Sequence, residues 1–148
     1  RRNGRVTHGA SSFIYRGWKT RAEGQTACYA AWDIHPKKHA DFRGRNSRGW
    51  LKCGEKPFED GEALDVMVNA YYSIPSGTAK SKRQKLHLTP YLKRGDIDNI
   101  IKAVLDALNG YAYKDDSAVF SVCGRKFYTD GEPLTVVTIS SVEVDHEL

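Results

Sequence analysis

Apolar and polar residues alternate most regularly from Leu64 to Tyr72, where Leu64, Val66, Val68, Ala70 and Tyr72 interleave with Asp65, Met67, Asn69 and Tyr71. A period of two sends successive side chains to opposite faces of an extended chain, so a strand with one apolar face is predicted here. Pro75-Ser76-Gly77 ends it. From Ile97 the spacing becomes helical: Ile97, Ile100, Ile101, Val104, Leu105 and Leu108 recur at three and four residues and form one stripe. The predicted helix runs from Asp98 to Asn109. Asp96 or Asp98 can cap its start, and Asn109-Gly110 can supply the left-handed stop. Beyond it, Ala118 to Tyr128 and Leu134 to Val144 read as two strands, joined by Thr129-Asp130-Gly131-Glu132-Pro133 as a hairpin connection.

The rest of the chain is less regular. A helix is expected from about Ser12 to Trp32, with Phe13, Ile14, Trp18, Ala27, Cys28 and Ala31 as its apolar positions, although Gly17 and Gly24 weaken it. Residues 33–61, rich in Gly, Lys, Arg and Pro, read as a long connection. Lys80 to Lys85 reads as a short helix, and Tyr91 to Ile97 as extended chain. The expected fold class is α+β: a mixed β-sheet with helices packed on one face, in two layers. A chain of 148 residues is long enough for one real core and too short for two, so a single domain over 1–148 is expected.

No apolar run approaches the ~20 residues of a membrane span, and no secretory leader pattern is visible, so a cytoplasmic protein is expected. Cys28, Cys53 and Cys123 are odd in number, widely spaced and never in a CxxC pair, which suits free thiols. Cys28, His35, His39 and Cys53 could be read as a zinc set, but Pro36 between the histidines argues against the helix that His-x3-His spacing needs.

Charge is segregated. Residues 1–56 carry 13 Lys/Arg against 4 Asp/Glu, residues 76–94 carry Lys80, Lys82, Arg83, Lys85, Lys93 and Arg94 with no acid, and from Asp96 onward 10 acids face 4 bases. Basic surface beside an acidic focus suits phosphate chemistry, with cations holding the backbone and carboxylates holding a metal.

Asp96-Ile97-Asp98-Asn99 is the sharpest acidic feature. In extended chain, residues two apart share a face, so Asp96 and Asp98 can address one point while Ile97 turns to the core. Both lie at a helix N-terminus, which favours negative charge. Lys102, four residues beyond Asp98, shares its face, and an Asp98–Lys102 pair could equally be an ordinary helix contact worth ~0.2–0.5 kcal/mol. Asp115-Asp116 follow the helix after a short turn. Spacing alone does not say whether they return to Asp96 and Asp98. If they do, the carboxylates would suit Mg²⁺, with Mn²⁺ as a substitute.

Lys93-Arg94-Gly95-Asp96-Ile97-Asp98-Asn99-Ile100-Ile101-Lys102-Ala103-Val104-Leu105-Asp106-Ala107-Leu108-Asn109-Gly110, continued by Tyr111-Ala112-Tyr113-Lys114-Asp115-Asp116-Ser117-Ala118-Val119, resembles the signature of the RusA-type Holliday junction resolvases. That signature is a D-[LI]-D-N-x-x-K-A-x-x-D-A-L helix followed by a W/Y-x-D-D-x-x-V turn and strand, and the likeness covers about 64–139. It implies a homodimeric, Mg²⁺-dependent endodeoxyribonuclease that resolves four-way DNA junctions in recombination and repair, common in phages and prophages. It further implies Asp96, Asp98 and Asp116 as catalytic acids that bind the metal, Lys102 as the catalytic lysine and Asp115 as a supporting acid. The family's opening strand, with Gly-x-Pro, has no counterpart before Arg1, and Gly95 stands where the family often has Pro or a basic residue. The charge pattern nominates Lys80, Lys82, Arg83, Lys85, Lys93, Arg94, Arg125 and Lys126 as DNA-binding residues. The competing expectations are an inactive branched-DNA-binding module from a prophage and a metal-dependent phosphohydrolase of small substrates.

Overall fold

In the computed structural model of the chain, the described residues are 28–32 and 56–142. They form strands β1 (Cys28–Trp32), β2 (Ala63–Ser73), β3 (Val119–Thr129) and β4 (Leu134–Val142), and helices α1 (Lys80–Leu86) and α2 (Ile97–Leu108). A short 3-10 turn at Asp116–Ala118 leads into β3. The strands make one mixed sheet in the order β1-β4-β2-β3. β2 runs parallel to β3 and antiparallel to β4, and β1 is antiparallel to β4.

The alternation along β2 decides this arrangement. Leu64, Val66, Val68, Ala70 and Tyr72 are all buried, and α2 covers that face with Ile100, Val104, Ala107 and Leu108. Val137 and Ile139 of β4 and Ala112 and Tyr113 of the turn after α2 complete the core. Burial of each such Val, Leu or Ile side chain is worth about 1.5–3 kcal/mol, which makes this two-layer contact the main source of stability. The α+β class and mixed sheet are as the sequence predicts. α1 buries no residue and is an appended surface helix.

Two expectations are corrected. β3 and β4 are consecutive in sequence but are not a hairpin, because β2 lies between them. β2 is the strand with the most regular apolar face, and a central place pairs both of its edges and keeps that face under α2. The link through residues 130–133 therefore crosses the end of β2, spanning two strand spacings of about 4.8 Å each. It is pinned there: the Ile74 amide donates to Thr129 O at 2.9 Å, and Ser73 Oγ donates to Gly131 O at 2.9 Å. The second correction concerns the helix expected over 12–32. Its last five residues, Cys28–Trp32, are strand β1, paired with Thr135–Ile139 of β4. Backbone pairing along the outer edge of β4 overrides a weak local helical pattern there. Residues 12–27 of that expectation, and 33–55 of the long connection, lie outside the described residues.

β3 is the edge strand at the other side. The upper part of its outer edge is covered by the segment after α1, with Leu88 N donating to Tyr128 O, Tyr128 N to Thr89 O and Tyr91 N to Lys126 O, each at 2.9 Å. From Val119 to Arg125 that outer edge has no partner strand among the described residues, and Phe120 is 72% exposed.

Candidate active site

α2 approaches β3 so closely that only glycine fits beneath it. A Cβ on Gly124 would meet Ile101 Cδ1 at 2.7 Å and Ile97 Cγ1 at 2.9 Å. Ile97 is thereby seated against the sheet, as the sequence predicts, and its neighbours Asp96 and Asp98 are exposed. Asp96 occupies the N-cap position in extended backbone (φ −68°, ψ 134°) but its side chain accepts no capping hydrogen bond. Asp98 lies in the first helical turn. Lys102 is exposed and makes no ion pair with Asp98 or any other described residue. The ordinary structural uses of these three side chains, cap and helix ion pair, are therefore not taken up.

The loop before Asp96 is held from below. Gly95 has φ +112°, a conformation that disfavours side chains, and a Cβ there would stand 2.8 Å from Tyr72 Oη. Tyr72 stacks on Tyr91 with ring centroids 4.0 Å apart, and Tyr91 meets Tyr128 edge-on at 4.9 Å. Burial raises the Tyr72 phenol above its ordinary value, with Tyr91 adding to it, so the ring is neutral under the loop. Sequence reasoning missed this aromatic floor. The signal available was that Tyr72 ends the apolar alternation and that Gly124 interrupts a strand, a frequent mark of close approach.

Asp115 and Asp116 lie at the other end of α2. Tyr113, whose Oη donates to Leu105 O at 3.1 Å, is raised in pKa by burial first and then by the carboxylates of Asp116, Asp106 and Asp115. Asp106 lies in the last turns of α2, and Asp115 and Asp116 follow it in the chain. Asp115 caps the 3-10 turn by accepting from the Ser117 amide at 3.2 Å, and its hydrogen bonding to Ser117 holds its carboxyl below the usual range. Asp116 is exposed. Twelve helical residues rise about 18 Å, which separates Asp96 from the point where the turn leading to Asp115 and Asp116 begins. Asp96 and Asp98 lie at the N-terminal end of α2, Lys102 about midway along it, and Asp116 after its C-terminal turn. Among the described residues no three His, Cys, Asp or Glu side chains are grouped so as to hold a metal ion. Cys123 is a partly buried free thiol, while the side chains of the zinc reading (Cys28, His35, His39, Cys53) lie outside the described residues.

Of the basic residues, Lys80, Lys82, Lys85, Lys93, Arg94 and Arg125 are exposed. Arg83 and Lys126 are committed within the fold. Arg83 Nε donates to Asp130 Oδ1 at 2.5 Å, Nη1 to Pro75 O at 3.1 Å and Nη2 to Asp130 O at 3.4 Å, so it staples α1 to the link that crosses β2. Its side chain is 23% exposed and that of Asp130 52%. With screening allowed for, Arg83→Ala is expected to cost about 1–2 kcal/mol of stability, measured by urea unfolding.

No described helix is long and apolar enough to cross a membrane. The fold and the exposed carboxylates at its helix N-terminus define a small α+β domain fitted to polar, solvent-facing chemistry. The family described as Endodeoxyribonuclease RusA matches residues 22–140, and the chain belongs to that family. It is also similar to the "Uncharacterized protein YqaN" of Bacillus subtilis (strain 168), with 39% identity over 84 residues, 54% of this chain. The chain spans 57% of the length of that relative.

Proposed function

We propose that the chain is a Mg²⁺-dependent endodeoxyribonuclease that resolves four-way DNA junctions as a homodimer. One observation carries this: in a chain of the RusA family, Asp96, Asp98 and Lys102 stand exposed and uncommitted at one helix end. Mg²⁺ retains several waters and is commonly held by one or two carboxylates together with substrate phosphate, so the Asp96–Asp98 pair fits it. Bound there, the ion lowers the pKa of a water and stabilises charge on the phosphoryl oxygens. Lys102, one turn along the same face, neutralises the scissile phosphate. Lys80, Lys82, Lys85, Lys93, Arg94 and Arg125 hold flanking phosphates.

Asp116 joins this site across the dimer rather than within one chain. A two-fold axis pairing the open edges of β3 antiparallel about Val122 would set Val119 of one chain opposite Arg125 of the partner subunit and carry Asp116 beyond it, towards the end of the strand that Leu88–Tyr91 covers. That is the level at which Lys126 meets Gly95, next to Asp96. Two such sites, related by the axis, suit symmetric cuts in opposed strands.

The test is cleavage of a labelled four-way junction, a linear duplex and a nucleotide, with Mg²⁺, with Mn²⁺ and with chelator. Paired cuts in the junction alone, lost with chelator, are expected. Binding should weaken steeply with salt, log K falling by about 0.9 per log unit for each phosphate neutralised. Junction binding without cutting would identify an inactive DNA-binding module, and turnover of the nucleotide alone a small-molecule phosphohydrolase; either overturns the proposal.

A further inference from the structure

Lys126 sits in β3 in register with Ala70 of the central strand, and its half-buried side chain turns to the loop before α2. Its Nζ donates to Gly95 O at 2.5 Å and to Lys93 O at 3.3 Å, and lies 5.8 Å from the centroid of the Tyr91 ring. No carboxylate pairs with it among the described residues. Gly95 O is the carbonyl immediately before Asp96, and a Cβ on Gly95 would stand 2.8 Å from Tyr72 Oη, so the phenol also lies close to this backbone. The backbone ahead of the acid is thus gripped between an ammonium and a phenol.

The geometry points to Lys126 as a positioning residue: its ammonium clamps the carbonyls of Lys93 and Gly95 and so sets where Asp96 presents its carboxylate. This rests on the proposed role of Asp96, but the clamp exists independently of any reaction. An ammonium has three donors and can serve two carbonyls together, as a hydroxyl or thioether cannot. The Asp96 side chain makes no capping hydrogen bond, so the clamp on the carbonyl before it bears directly on how its backbone enters the helix. Two of its three donors serve these carbonyls, so the inference gives Lys126 a positioning role in place of the DNA-binding role that charge alone suggests.

The free protein tests the clamp without any assay of activity. Under limiting reductive methylation with mass-spectrometric readout, Lys126 should react at least several-fold more slowly than Lys93, and adding junction DNA in chelator should slow Lys93 without changing Lys126. Equal rates for Lys126 and Lys93 in the free protein would remove the clamp, whatever the enzyme does. In Lys126→Met, which keeps the apolar stem, the amides of residues 94–97 should exchange faster. Cutting at saturating junction should drop about 10–100-fold, as when residues behind a metal ligand are removed. The salt slope of binding should stay parental, and Lys126→Arg, which keeps the donors, should recover part of the rate. A slope shallower by about 0.9 with undiminished cutting would make Lys126 a phosphate contact and overturn the inference. Slow methylation of Lys126 in a protein that cuts no junction would instead retain the clamp and reject the proposed function.

Discussion

Asp96→Asn is expected to suppress metal-dependent junction cutting by roughly 100–1,000-fold while leaving junction binding at least as tight. The side chain is exposed and accepts no capping hydrogen bond, so replacing one oxygen by an amide group removes nothing the fold uses. The chemistry would lose an anionic oxygen at the point where Asp96 and Asp98 are proposed to hold the cation. Binding gains slightly, because one negative charge near the phosphates is gone. Steady-state cutting at saturating junction, with binding measured separately in chelator, separates the two effects. Cutting at the parental rate would mean that Asp96 is not part of the site.

A mixture of two inactive variants should regain activity. If Asp116 serves the site of the partner, Asp96→Asn and Asp116→Asn are each inactive alone, since every site in either homodimer lacks one acid. After subunit exchange, a mixed dimer contains one site missing both acids and one site missing neither. With random exchange, half the dimers are mixed and each has one complete site, so about a quarter of parental activity should return. The products should be single nicks instead of paired cuts. A mixture that stays inactive after exchange has been verified by mass would place Asp116 within its own chain's site or outside catalysis. The 18 Å rise of α2 makes the first of these the harder to build.

Much of the fold was legible because its core elements carry unambiguous periods. The alternation of Leu64 to Tyr72 and the stripe from Ile97 to Leu108 face each other in the structure as they do in the pattern. Seating of Ile97 on the core was also readable from its place at the head of the helical stripe, but the strand spacing assumed for Asp96 and Asp98 does not hold, because α2 already begins at Ile97. Pairing was not readable. Thr129 to Pro133 has turn chemistry that suits a hairpin, yet the strands it joins are held apart by β2. Cys28–Trp32 has too few residues to declare a period, and β4 decided its conformation by offering an unpaired edge.

The candidate site divides along the same line. Composition fixed the sign and density of charge, but two of the eight basic residues, Arg83 and Lys126, are consumed by backbone carbonyls and an acid of the fold. Charge in a sequence does not reveal which donors are already engaged; that depends on distant partners, here 47 residues away for Arg83 and 31 for Lys126.

By itself the sequence determined what is local: the period of the core strand and helix, the helix stop at Asn109-Gly110, the core-facing place of Ile97, and the family. These follow from backbone geometry over a few residues, which the order of side chains dictates directly. Only the tertiary structure decided strand order and which cations have hydrogen-bond partners within the fold. Those depend on how β2 saturates both of its edges and how α2 spans the sheet, and contact between residues far apart in the chain is set by that packing, not by their spacing.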